Sequence, residues 1–236
     1  MNDRVKNPIG GKPRRPNGEP PADLAGVLAA KVVGQRNVIE AIIPAIEMFQ
    51  AGLAPDRRPV GVFLLLGPTG TGKTRTVEAL AEALHGSIRN MLKIDCGEFQ
   101  MEHEVAKLIG APPGYLGHRE TQPMLTQQKL ASVTSDECGL SIVLFDEIEK
   151  AAPSMARLLL GVLDRGVLRL GDNATVDFQN SIIFMTSNLG AREMMRAMNP
   201  SFGFQSGGFQ SASSSADPAA KLRTISLHAV KRRFSP

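Results

Sequence analysis

The stretch VGVFLLLGPTGTGKTRTVEALAEAL, residues 60–84, joins a short apolar run to a glycine-rich turn and then to a helical pattern. Val60 to Leu66 is strand-compatible and stops abruptly at Gly67 and Pro68, which reads as a buried strand. The next eight residues, GPTGTGKT at 67–74, satisfy the phosphate-loop pattern G-x-x-x-x-G-K-[ST] without a mismatch. Helical sequence follows from Thr74 to Leu84. In that order, successive backbone N–H groups and a helix N-terminus can converge on a polyphosphate, with glycine where a Cβ would obstruct the approach. The residues of the cradle are Gly67, Pro68, Thr69, Gly70, Thr71, Gly72, Lys73 and Thr74. Lys73 is placed to reach the β- and γ-phosphates, and the Thr74 hydroxyl to bind Mg²⁺.

Outward from this loop, further strands are expected at Met91 to Ile94, Ser141 to Phe145 and Ser181 to Thr186, separated by helical or loop-like sequence. Strands alternating with helices imply an α/β fold, with a mostly parallel central sheet and helices on both faces. Upstream, apolar residues from Gln35 to Leu53 recur at mostly helical spacing, and Pro44 is expected to kink or locally break that helix. Ala156 to Leu163 reads as helix, Val167 to Phe178 as a hairpin turning at Gly171-Asp172-Asn173, and Pro218 to Phe234 as a terminal helix. Residues 1–22, dense in Pro, Gly and charge, are expected to form a disordered tail. Residues 23–200 then form the nucleotide-binding domain, 201–216 a flexible Gly/Ser-rich loop, and 217–236 the closing helix.

The third strand ends in Asp146-Glu147, two acids at the strand end where open α/β sheets bind ligands. Asp146 can hold the magnesium ion, and Glu147 can orient and polarise an attacking water. The fourth strand ends in Thr186-Ser187-Asn188. Asn188 can hydrogen-bond both that water and the terminal phosphate, and the same tripeptide is also suited to a turn or helix cap.

An apolar fraction of 42% and a charged fraction of 21% are those of an ordinary globular protein, which excludes fibrous and globally disordered classes. No apolar run approaches the roughly 18 residues needed to span a bilayer, so no membrane role and a cytoplasmic location are expected. Cys96 and Cys138 lack metal-ligand spacing and read as reduced and structural. The net charge of +4 owes much to basic ends, Arg4, Lys6, Lys12, Arg14 and Arg15 at one and Lys231 to Arg233 at the other. Nucleic acid is not favoured as a partner on that ground.

Taken together, the run Val32-Val-Gly-Gln35, the loop GPTGTGKT, the segment Leu108-IGAPPGYLG117, the block LFDEIEKA ending at Ala151, and MTSNLG ending at Gly190 resemble the C-terminal ATPase module of Clp unfoldases and disaggregases. The resemblance runs from about Val32 to Gly190. It implies the large subdomain of an AAA+ fold, ATP with Mg²⁺, ATP hydrolysis, a homo-oligomeric ring, usually of six, and threading of unfolded polypeptide through a central pore. It also implies that Val32 and Val33 lie against the adenine, that Asn188 is the first sensor, and that Tyr115 is the pore-loop residue gripping substrate. Tyr115 is the only tyrosine, flanked by Gly114 and Gly117, and an aromatic on such a hinge suits nonspecific apolar contact; a ring packed on its own loop is the alternative. Phe202-Gly203-Phe204 occupies the place of the tripeptide with which some relatives dock a ClpP-like peptidase, although its first residue is Phe rather than Ile, Leu or Val. In the family, the arginine finger and a small helical subdomain follow an Arg-Phe-x-Pro-like stretch, so the resemblance implies truncation before both. The alternative function is a noncatalytic nucleotide-binding assembly or regulatory fragment.

Overall fold

A computed structural model describes residues 23–110, 123–135, 138–198 and 218–234. Tyr115, Phe202-Gly203-Phe204, the 1–22 tail and the 201–216 loop lie outside them. The helices are α1 (Leu24–Lys31), α2 (Arg36–Gln50), α3 (Lys73–His85), α4 (Ala106–Ile109), α5 (Gln127–Ser132), α6 (Pro153–Arg165), α7 (Ala191–Met198) and α8 (Pro218–Phe234). The strands are β1 (Gly61–Leu66), β2 (Leu92–Asp95), β3 (Ser141–Asp146), β4 (Val167–Arg169), β5 (Thr175–Asp177) and β6 (Ser181–Ser187).

Four strands form one parallel sheet in the order β1-β6-β3-β2. Parallel neighbours need crossover connections, and helices lie in every link between these strands. The two central strands are buried on both faces, so their sequences read as continuous apolar runs. Successive side chains point to opposite sides. Ile142 and Leu144 of β3, with Ile182 and Phe184 of β6, join the core formed with α1, α2 and α3. Val143 and Phe145, with Ile183, join the opposite core formed with α5, α6 and the hairpin. This is the expected α/β architecture, with helices on both faces.

Register then brings the functional motifs to one edge. Leu66 is paired with Ser187, and Asp95 with Asp146, so the strands end nearly together. The residues just beyond them, Gly67, Glu147 and Asn188, therefore emerge side by side at the carboxyl edge.

Local sequence explains most boundaries. Helix α3 stops at Gly86, whose φ of 75° is left-handed, and its amide caps the Glu82 carbonyl. Helix α6 starts with Pro153 in its first turn, where the missing N–H is not needed. The β4–β5 hairpin is antiparallel and turns through Gly171-Asp172-Asn173, with Asn173 at φ 69° and Asp172 Oδ1 accepting from the Ala174 amide. Helix α2, by contrast, runs unbroken across Pro44. Glu40 and Pro44 both lie on its exposed side, so the carbonyl deprived of an amide can turn to water, while Ile39, Ile42 and Ile46 stay buried. The expected local break is therefore absent.

Candidate functional site

The phosphate loop leaves β1 at Gly67 and enters α3 at Lys73. Gly70 and Gly72 have φ of 82° and 89°, a region costly to any residue with a side chain. Among the described residues, a Cβ built on either would meet nothing within 4 Å. The protein itself thus demands glycine for backbone conformation, and the space over the loop is left open. That space belongs to a cavity of about 380 Å³ lined by the loop, the first turn of α3, Asp146, Glu147, Thr186 and Asn188. All three sequence motifs border it.

Lys73 folds back over the loop. Its Nζ donates to the Gly67 carbonyl at 2.7 Å, the Pro68 carbonyl at 3.0 Å and Asn188 Oδ1 at 2.9 Å. Burial lowers its pKa, and the negative charges of Glu149, Asp146 and Glu147 oppose that shift. The ammonium therefore bridges the phosphate loop and the end of β6.

Asp146 is held from three sides. The Thr74 hydroxyl donates to its carboxylate at 3.3 Å, the Lys93 ammonium on β2 pairs with Oδ2 at 3.0 Å, and the Thr186 hydroxyl donates to Oδ1. Burial alone would raise the Asp146 pKa, but the hydrogen bonds from Thr186 and Lys93, the Lys93 charge and Thr74 outweigh it. The carboxyl is consequently held below its ordinary range and stays ionised at neutral pH.

Glu147 follows in left-handed backbone, φ 56° and ψ 49°, which is uncommon for a residue with a side chain. Its amide donates to Thr186 Oγ1 at 2.9 Å, so the buried hydroxyl that serves Asp146 also fixes this bend. Oε1 accepts from Asn188 Nδ2 at 3.3 Å, and Oε2 pairs with Lys150. The Asn188 amide in turn donates to Glu149 Oε1 at 3.0 Å.

The donor set suits magnesium. The ion is commonly held by one or two carboxylates together with phosphate oxygens and water, and Thr74 and Asp146 offer one hydroxyl and one ionised carboxylate facing the cavity. Among the described residues, no cluster of His, Cys, Asp and Glu offers an all-protein site for another metal.

Val32 and Val33 part company. Val32 is buried in the core with α1, α2 and α3, whereas Val33 is 91% exposed. The segment is tied to the phosphate loop by Gln35 Nε2, which donates to the Thr71 carbonyl at 2.6 Å. Neither that tie nor the roles of Thr186, Lys93 and Lys150 were legible in the motifs. Only Thr186 carried a signal, a hydroxyl residue interrupting an apolar run one position short of the strand end. The cysteines are both free and buried. Burial, with Asp95 and the neighbouring acids, pushes the Cys96 thiol up to about 12, and burial raises Cys138 against the Leu140 backbone, so neither is a thiolate at neutral pH.

Known proteins resemble this chain in sequence and in fold. The profile of the AAA domain family, Cdc48 subfamily, matches residues 58–236. The ATP-dependent Clp protease ATP-binding subunit ClpC of Staphylococcus aureus is 38% identical over 213 residues, covering 90% of the chain and 24% of that protein. The ClpC of Staphylococcus epidermidis is 41% identical over 214 residues, covering 91% and 24%. The chain thus spans about a quarter of the length of these relatives. Among solved structures, Hsp104 with ATPγS and FITC-casein in a closed state superposes with a TM-score of 0.72 at 31% identity, over 91% of this chain and 33% of that one. The extended Saccharomyces cerevisiae Hsp104–casein complex gives 0.71 at 30%, over 90% and 33%. A parallel sheet that ends in a phosphate loop, an acidic pair and a polar strand terminus agrees with these matches, and the chain belongs to the AAA domain family as an ATPase module of the Clp type.

Proposed function

We infer that the chain binds ATP with Mg²⁺ in the cavity at the carboxyl edge of the sheet and hydrolyses it to drive work on protein substrates. The observation that carries this reading is the single cavity bordered by Lys73, Thr74, Asp146, Glu147 and Asn188, with Thr74 already hydrogen-bonded to Asp146.

The amides of Gly70 to Thr74 and the N-terminus of α3 would receive the phosphates. Lys73 would exchange its loop carbonyls for β- and γ-phosphate oxygens, a gain for an ammonium now satisfied by neutral acceptors. Thr74 and Asp146 would hold Mg²⁺, which when bound neutralises charge developing on the phosphate oxygens. Glu147, with one oxygen toward Asn188, would orient and polarise the attacking water, and Asn188 would contact both that water and the terminal phosphate. Val33 and the backbone of Val32, whose side chain is in the core, would lie by the adenine, a placement favoured by the Gln35 link to the loop.

At larger scale, the reading extends to a homo-oligomeric ring of six that threads unfolded polypeptide past Tyr115, for a ClpP-like peptidase docked through Phe202-Gly203-Phe204. The relatives support this: the ClpC proteins are named as subunits of a protease, and Hsp104 was solved with casein. A cytoplasmic location completes this reading; among the described residues no helix is long and apolar enough to cross a membrane.

Steady-state ATPase assays in the presence of an unfolded protein test the reading. Glu147→Gln should lose about 10²- to 10⁴-fold in turnover while retaining bound ATP. Turnover by Glu147→Gln at the rate of the unsubstituted chain would refute the catalytic assignment.

A further inference from the structure

Lys150 sits within the block LFDEIEKA, where the sequence pattern assigns it no role, yet it holds one of the two oxygens of Glu147. It closes the 3-10 turn Ile148–Lys150, and its amide donates to the Glu147 carbonyl at 2.9 Å. That turn returns the side chain over Glu147, where the ammonium pairs with Oε2. The aliphatic stem passes close to Gly97, at which a Cβ would stand 3.6 Å from Lys150 Cδ, an ordinary packing distance.

The two carboxylate oxygens thus have different partners on different sides. Oε1 meets Asn188, which borders the cavity, while Lys150 is not among the described residues that line it. The ammonium grips the carboxylate from behind. At the other end of the side chain, the left-handed backbone of Glu147 is pinned by Thr186. The Glu147 carboxylate is thus tied at both oxygens, Oε2 to Lys150 and Oε1 to Asn188, and of these two partners only Asn188 borders the cavity.

We propose that Lys150 is a positioning residue for hydrolysis, which by holding Oε2 from outside the cavity keeps Oε1 of Glu147 directed at the attacking water. This inference rests on the reading of Glu147 given above. Folding does not require the pair: Lys150 is about half exposed, and exposed ion pairs add little to stability. Its effect should appear in the chemical step, where misplacing a catalytic group is costly.

The experiment measures kcat and KM for ATP, affinity for a fluorescent ATP analogue, and Tm in the unsubstituted chain, Lys150→Met, Lys150→Arg and Glu147→Gln. Lys150→Met should lower kcat by roughly 10- to 100-fold, with KM, analogue affinity and Tm unchanged. Lys150→Arg, which keeps the charge, should recover most of the rate. Normal kcat in Lys150→Met, a loss confined to KM, or an arginine variant no better than methionine would each overturn the proposal. Failure of the underlying reading looks different: no turnover in the unsubstituted chain, or none lost in Glu147→Gln, overturns both.

Discussion

Thr186 has a fully buried hydroxyl that donates to Asp146 and accepts from the Glu147 amide. Two consecutive acids are therefore held by one uncharged group on the neighbouring strand. Valine would preserve the shape of the side chain, remove one of the hydrogen bonds to Asp146 and leave the Glu147 amide without its acceptor. Thr186→Val is expected to cost about 1–3 kcal/mol, read as a shifted denaturant midpoint, and to lower turnover as well. An unchanged midpoint would mean that water replaces the hydroxyl. Lys93 completes the set of charges, since its ammonium on β2 helps to keep Asp146 ionised before any cation arrives.

Helix α3 links the site to the core. It begins beside Gly72 and ends at Gly86, two glycines at φ 89° and 75° with open space around each, so alanine at either meets the same backbone penalty. Gly72→Ala and Gly86→Ala should each lose about 1–2 kcal/mol in denaturant unfolding. Only Gly72→Ala should also weaken nucleotide binding, since Gly86 lies a full helix away from the cavity. In the last turn, His85 is buried, with Nδ1 3.1 Å from Ser135 Oγ, and burial lowers its pKa against the pull of the Leu140 backbone. The unfolded chain then takes up a proton near pH 6.5 that the native state refuses. The stability from neutral His85 is complete above that pH and declines as pH falls from there toward the lowered native value, by at most about 1.4 kcal/mol per unit. Urea unfolding between pH 8 and 5 should show this decline, and His85→Gln should flatten it. Element by element, the central strands were legible because burial on both faces leaves uninterrupted apolar runs, and α3 and the hairpin because glycine punctuates them; β1, expected to be buried, is an edge strand that leaves Val62 and Leu64 exposed. Helices α1 and α7 were not. The sequence LAGVLAAK of α1 is apolar nearly all round and carries no stripe to reveal a period. Helix α7 follows directly on the Asn188-Leu-Gly turn, whose residues read equally well as a loop.

Across the whole molecule, the parallel register of β1, β6 and β3 converts three distant motifs into neighbours. The phosphate loop, the Asp146-Glu147 pair and Asn188 were legible because each lies at or just past a strand end, whereas Val32 and Val33 entered only through the family resemblance. Their supports were not: Lys93, Thr186 and Gln35 act across contacts distant in sequence, which leave no local period, and the Lys150–Glu147 pair, three residues apart, depends on a turn that the sequence does not mark. Nucleotide binding at this site should therefore depend most on Lys73, the cation that already spans the phosphate loop and Asn188. Calorimetric titration with a slowly hydrolysed ATP analogue and Mg²⁺, comparing the unsubstituted chain with Lys73→Ala, measures that dependence directly. Loss of charge-assisted bonds to phosphate should weaken binding by at least about tenfold; equal affinity in the two proteins would contradict the assignment of the site.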